Sequence, residues 1–212
     1  MGRIALLLSA VLISATAFGQ DSKAILDKLS NKAKGYSTID AQFTQRIVDK
    51  QSGIDQTQKG SIQLKGEKYK AVLGNYEIYS DGESLTTYDK ELNEAMIDYL
   101  EDVEDGTLSP SKMFTIWEDD FKHELVGSEK VGGADCHKIN LYPEDPKEKT
   151  YHTITMWVDK AKMEVNQVVV KGKDGTEMVY NITSFETGKD LPDSTFTFSV
   201  KGHPGVEVID NR

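Results

Sequence analysis

From Ile39 onward the apolar positions of this chain recur at every second residue. Ile39, Ala41, Phe43, Gln45 and Ile47 share one face, and Asp40, Gln42, Thr44, Arg46 and Val48 share the other. That period predicts a long strand with one buried side. The pattern returns over residues 59–64, where Ile62 and Leu64 fall together, and over residues 68–73, where Tyr69 and Ala71 do. In residues 76–80, Tyr76, Ile78 and Ser80 alternate with Glu77 and Tyr79. Asp81-Gly82 is a hairpin signal, because glycine supplies φ > 0 without steric cost. Residues 84–88 return as a strand and residues 92–100 extend again. Further strands are predicted over residues 121–126, 133–142, 150–159, 164–172 and 177–186, with 196–200 and 206–209 closing the chain.

Two stretches follow a helical period instead. In residues 21–34, Ile25, Leu26, Leu29 and Ala33 make one stripe, with Asp21 or Ser22 to cap the start and Gly35 the end. Later, Ser109 is a good N-cap and Pro110 suits the first helical position. Met113, Phe114, Ile116 and Trp117 leave that short helix little polar face, so it must be covered, or must cover something apolar itself. Residues 101–106 are acidic and read as a loop. No Pro/Gly/Ser-rich linker and no internal repeat divides the chain. The pattern predicts a mainly β, α+β fold: one antiparallel sheet of ten or eleven strands with two or three helices against it.

Residues 1–19 follow another logic. A basic start at Arg3, an apolar run over residues 4–13 and small residues at 15–19 make a secretory leader, too short for a stable membrane span. Cleavage after Gly19 leaves residues 20–212 as a single domain. The lone cysteine, Cys136, is far from the cleavage point, so the leader is not of the lipid-anchoring kind and no internal disulfide can form. About 190 residues can bury an adequate core without one. The net charge of −10 argues against a nucleic-acid partner and against docking on an anionic membrane surface.

Candidate chemistry is sparse. None of the four histidines stands at metal-ligand spacing with another His, Cys or carboxylate, and Asp135-Cys136-His137 reads as a buried structural cysteine beside an exposed histidine. There is no nucleophile elbow, phosphate loop or dinucleotide fingerprint. No enzyme activity and no cofactor are expected. What remains is an apolar face, which is either an ordinary core or the wall of a cavity closed by the helices.

The order of several short motifs resembles one family. Ala41-Gln42-Phe43-Thr44-Gln45, residues 60–69, Ser80-Asp81-Gly82 with Leu85 and Tyr88-Asp89, the Ser109-Pro110 helix start and the closing Phe196-Thr197-Phe198 and Pro204-Gly205-Val206-Glu207-Val208-Ile209 together resemble the bacterial outer-membrane lipoprotein carrier proteins of the periplasm (LolA-like). That resemblance implies an unclosed half-barrel of about eleven antiparallel strands, with helices as a lid over a hydrophobic cavity. It implies a periplasmic carrier, expected to act as a monomer, that binds lipoprotein acyl chains. Such a carrier receives its cargo from an inner-membrane transporter and passes it to an outer-membrane acceptor. A half-barrel that senses or scaffolds an envelope protein, or carries another lipid, is the alternative.

The alternation selects Phe43, Ile62, Leu64, Tyr69, Tyr76, Ile78 and Tyr88 as cavity lining, and the short apolar helix adds Met113, Phe114 and Trp117. Where the family has an arginine that controls release, this chain has Leu64-Lys65-Gly66-Glu67, making Lys65 the candidate lid latch. Burying acyl carbon is worth roughly 0.8 kcal/mol per CH₂. A palmitoyl chain fully engulfed at that rate would be too sticky to release, so the empty cavity is expected to be ill-matched or partly collapsed.

Overall fold

The computed structural model describes residues 16–103, 114–118, 121–147 and 149–212. Twelve strands form one sheet. In chain order they are β1 (Ile39–Asp49), β2 (Ile54–Lys65), β3 (Lys68–Leu73), β4 (Tyr76–Ser80), β5 (Ser84–Asp89), β6 (Glu94–Tyr99), β7 (Phe121–Val131), β8 (Ala134–Pro143), β9 (Tyr151–Asp159), β10 (Val165–Gly172), β11 (Glu177–Thr187) and β12 (Glu207–Asp210). The order across the sheet is β12-β6-β5-β4-β3-β2-β1-β11-β10-β9-β8-β7. The two edge strands, β12 and β7, do not meet, so the sheet stays unclosed. Eleven strands pair antiparallel, as the alternation predicts. The twelfth corrects the expectation, because β12 runs parallel to β6, with Val208 opposite Ala95 and Ile209 opposite Met96.

Two α-helices are present among the described residues: α1 (Thr16–Lys34) and the single turn α2 (Leu100–Val103). Helix α1 begins within the expected leader. Its apolar stripe works as the period predicts. Leu26 and Leu29 bury into a cluster with Ile139, Leu141, Ile154, Met156, Val158 and Val170 of β8, β9 and β10. Ala33, and Tyr36 just beyond the helix, reach a second cluster of Ile39, Ala41, Phe43, Ile62, Leu64, Tyr69, Leu85 and Phe114. Tyr180 packs against both clusters, so the apolar interior is continuous. We call this helix-covered side of the sheet its inner face.

Polar contacts fix the helix in place. The Ser22 hydroxyl lies 3.0 Å from His123 Nδ1 on β7, and Lys32 pairs with Glu164 at 2.8 Å in the β9–β10 turn. The Ser30 hydroxyl accepts from Trp117 Nε1 at 2.7 Å, and Lys34 pairs with Glu118 at 2.7 Å.

The outer face also carries apolar side chains. Cys136, Trp157 and Val169 cluster there, and the cysteine is fully buried. Further along, Tyr79 and Tyr88 pack on Phe198, with ring centroids 5.7 and 5.2 Å away, and His203 stacks on Phe198 at 4.5 Å. The C-terminal segment therefore covers the outer face of β4 and β5. Residues 196–200, predicted as a strand, are instead flanked by 3₁₀ turns at Asp193–Phe196 and Val200–Gly202.

Two local features set which side chains face inward. Gly60 lies directly under the Phe43 ring, where an added Cβ would come 2.4 Å from Phe43 Cζ. Opposite, β11 carries a bulge: Phe43 pairs with Ile182, but Ala41 pairs with Phe185. The extra residue reverses the alternation and turns Phe185 inward. The Asp81-Gly82 hairpin forms as expected but through a three-residue loop, with Gly82 at φ 97° and Asp81 accepting hydrogen bonds from the Glu83 and Ser84 amides.

Candidate functional site

The inner face of β1 to β5 is one apolar wall, and the register shows how it is laid out. Leu64, Tyr69, Ser80 and Leu85 form one row across four strands, and Ile62, Ala71, Ile78 and Thr87 form the next. Ile62 and Tyr69 are each only 2% exposed. Packed against this wall are aromatic side chains that form a plug. Phe114 packs edge-on against Phe185 at 5.6 Å, and Tyr36 does the same at 5.8 Å. Trp117 is buried beside them and tied to α1 through Ser30.

The plug leaves almost no empty space. A cavity of about 10 Å³ remains among Leu29, Ala33, Tyr36, Phe114, Trp117 and Phe185, too small to hold more than a single water. A second, open recess of about 340 Å³ lies where the α1–β1 connection meets the β2–β3 turn, lined by Lys34, Tyr36, Thr38, Leu64, Glu67 and Phe114 among others. That is near the lower bound of small-molecule sites, which begin at roughly 300 Å³. Ala33, Tyr36 and Phe114 line both spaces. Phe114 therefore stands as part of the partition between an accessible recess and the buried wall.

One polar string crosses the wall beyond Phe43. Gln45 Nε2 donates to the Tyr180 hydroxyl at 2.7 Å, and Gln58 Nε2 donates to Gln45 Oε1 at 2.6 Å. Burial pushes the Tyr180 phenol pKa up, so the group stays a neutral hydrogen-bonding hydroxyl. No cluster of three metal-ligating side chains occurs among the described residues. The arrangement offers a closed apolar surface that moving its aromatic plug would expose.

The structure sorts the sequence-selected lining clearly. Phe43, Ile62, Leu64 and Tyr69 are buried in the inner wall, Ile78 is half-buried in it, and Phe114 and Trp117 form the plug. Met113 lies outside the described residues. Tyr76 is on the inner face but 50% exposed, out on the wing that α1 leaves uncovered. Tyr88 is a correction. Its partner in the register is Glu77, which with Tyr79 faces outward, and Tyr88 packs on Phe198 and His203. Leu85 is the residue of β5 that joins the wall. Lys65 is also placed elsewhere: its ammonium donates to the Leu191 carbonyl at 2.9 Å and pairs with Asp193 at 2.9 Å, joined there by Lys68. It ties β2 to the C-terminal segment. Tyr36 and Phe185 belong to the site, and the alternation selects neither. Tyr36 lies in a non-periodic connection, and Phe185 is turned inward only by the bulge.

Known proteins share this chain's sequence pattern and fold. The family model for the outer membrane lipoprotein carrier protein LolA matches residues 34–199. An outer-membrane lipoprotein carrier protein of Francisella tularensis subsp. tularensis (strain WY96-3418) is 25% identical over 209 residues, covering 92% of this chain and 90% of its own. Among solved structures, an uncharacterized conserved protein from Thermus thermophilus superposes with a TM-score of 0.59 at 9% identity, covering 89% of this chain and 98% of that one. The lipoprotein LppX of Mycobacterium tuberculosis gives a TM-score of 0.50 at 11% identity, covering 80% and 99%. These two likenesses concern the fold.

Proposed function

The chain belongs to the family of LolA outer-membrane lipoprotein carrier proteins, and from that premise we propose that it is a periplasmic carrier for lipoprotein acyl chains. Residues 1–19 serve as the export leader. Cargo enters from an inner-membrane transporter, is held on the inner face of the sheet, and is passed to an acceptor at the outer membrane. No residue is assigned a chemical step; the work is differential binding.

The observation that carries this reading is the plugged wall. A continuous apolar surface is closed by Phe114, Trp117, Tyr36 and Phe185 with almost no void, and a recess of about 340 Å³ abuts the plug. A plug resolves the problem of stickiness. A palmitoyl chain buried at about 0.8 kcal/mol per CH₂ gains on the order of 10 kcal/mol. Displacing two buried aromatic side chains costs about 3–6 kcal/mol of that, at about 1.5–3 kcal/mol each. The remainder holds the cargo in transit and leaves an acceptor able to take it.

The test is Phe114→Asp, which sets a carboxylate in the path of the acyl chain. The variant is expected to keep the wild-type circular dichroism spectrum and to lose binding of a fluorescent hydrophobic probe. A folded variant that binds the probe as the wild type does would overturn the carrier reading.

A further inference from the structure

We infer that the open wing of the inner face, from β4 to β12, binds the positively charged peptide portion of an acylated cargo. This rests on the carrier reading above and adds a charge preference to it. The register lines up one row across six strands, apolar but for Thr87: Ile62, Ala71, Ile78, Thr87, Met96 and Ile209. Five inter-strand steps at about 4.8 Å make this track about 24 Å long. It begins buried, with Ile62 2% exposed, and ends open, with Met96 and Ile209 at 40% and 36%. An apolar row leading from a core to an open sheet edge can receive an apolar ligand.

The flanking rows identify the ligand's charge. On one side Tyr76, Asp89, Glu94 and Glu207 share a row, and on the other Asp98 lies opposite Leu85. None of these four carboxylates has an ion-pair partner among the described residues. Elsewhere on the sheet some carboxylates are ion-paired: Glu77 with Lys70 and Lys90, Asp193 with Lys65 and Lys68, and Glu129 with Lys138. Negative charge left uncompensated around the open end of an apolar track is complementary to an amphiphile whose polar part is cationic. The acyl chain lies along the track toward Ile62, and basic residues next to the acylated one meet Glu94 and Glu207.

The test uses palmitoylated peptides that differ only in their trailing residues, all Lys, all Ser or all Glu, titrated onto the mature chain. The Lys peptide is expected to bind about tenfold tighter than the Ser peptide at low ionic strength, the sum of a few exposed ion pairs. The Glu peptide should bind more weakly than either, and added salt should erase the order. Glu94→Gln with Glu207→Gln, both isosteric and on exposed or half-exposed strand positions, should abolish the Lys preference without changing Ser-peptide affinity. Equal binding of all three peptides, or a preference that survives the double substitution, overturns the inference while leaving the carrier reading intact. Binding of none of them overturns both.

Discussion

Phe114→Ala separates a plug from an ordinary core residue, because the two roles predict opposite effects on binding. Phe114 is 8% exposed, packs on Phe185 and borders both the buried void and the open recess. Truncating a core phenylalanine to alanine costs about 3–5 kcal/mol, and the recess on one side of this ring places it at the lower end, about 3 kcal/mol. For a chain of this size, each kcal/mol moves the melting temperature by about 2–4 °C, so the variant should melt about 6–12 °C lower. Binding should move the other way. A ligand entering the wild type must first displace the ring, whereas the variant has already given up that contact. Affinity should rise by tenfold or more, with a ceiling of about a hundredfold if all 3 kcal/mol is recovered. Thermal unfolding gives the first number and titration with an acyl probe gives the second. Saturating probe should also restore much of the lost melting temperature. Affinity that falls together with stability would refute the plug, since it would mean that Phe114 is a fixed part of the wall.

Three further outcomes follow from other contacts. In Gly60→Val the new side chain collides with the Phe43 ring, where even a Cβ sits 2.4 Å from Cζ, and overpacking of this kind should cost about 1–3 kcal/mol in urea unfolding; an unchanged midpoint would mean that the ring moves freely. Burial raises the Glu77 pKa, but Lys90, the Tyr79 hydroxyl and Lys70 outweigh it and hold the carboxyl down to about 2. The contribution of Glu77 is therefore fully present above its ordinary value near 4.5 and is lost as pH falls toward 2; Glu77→Gln should lower stability at neutral pH and flatten its acid dependence, read by unfolding at a series of pH values. Asp193→Asn removes the charge shared by Lys65 and Lys68, so amide exchange should quicken across residues 191–196 while probe binding stays unchanged; altered binding would restore Lys65 as a latch.

The strands are legible because a two-residue period with one buried face is a strong signal, and β1, with its flanking turns, can be placed almost to the residue. The inner wall of β1 to β3 follows from the same alternation. Tyr88 is misplaced by that logic because the outer face of β5 is apolar as well, covered by Phe198 and His203. Alternation identifies two faces but does not say which looks inward when both are covered. Phe185 is hidden by a bulge that leaves no mark in composition. The stretch Phe196-Thr197-Phe198 alternates like a strand, yet the Phe198 ring caps the outer face. The parallel pairing of β12 with β6 depends on a long return of the chain and has no local signal. The family resemblance points to Lys65 as a latch, whereas its hydrogen bonds reach Leu191 and Asp193, more than a hundred residues away.

If the apolar inner face exists to hold an acyl chain, the protein should be found carrying one. Native mass spectrometry of the protein taken gently from a periplasmic extract reads this without a chosen probe. A population heavier than the polypeptide by the mass of an acylated protein or lipid is expected, reduced in Phe114→Asp. A polypeptide found only at its own mass, or bound to a protein partner that carries no lipid, would count against an acyl carrier and favour a sensor or scaffold built on the same sheet.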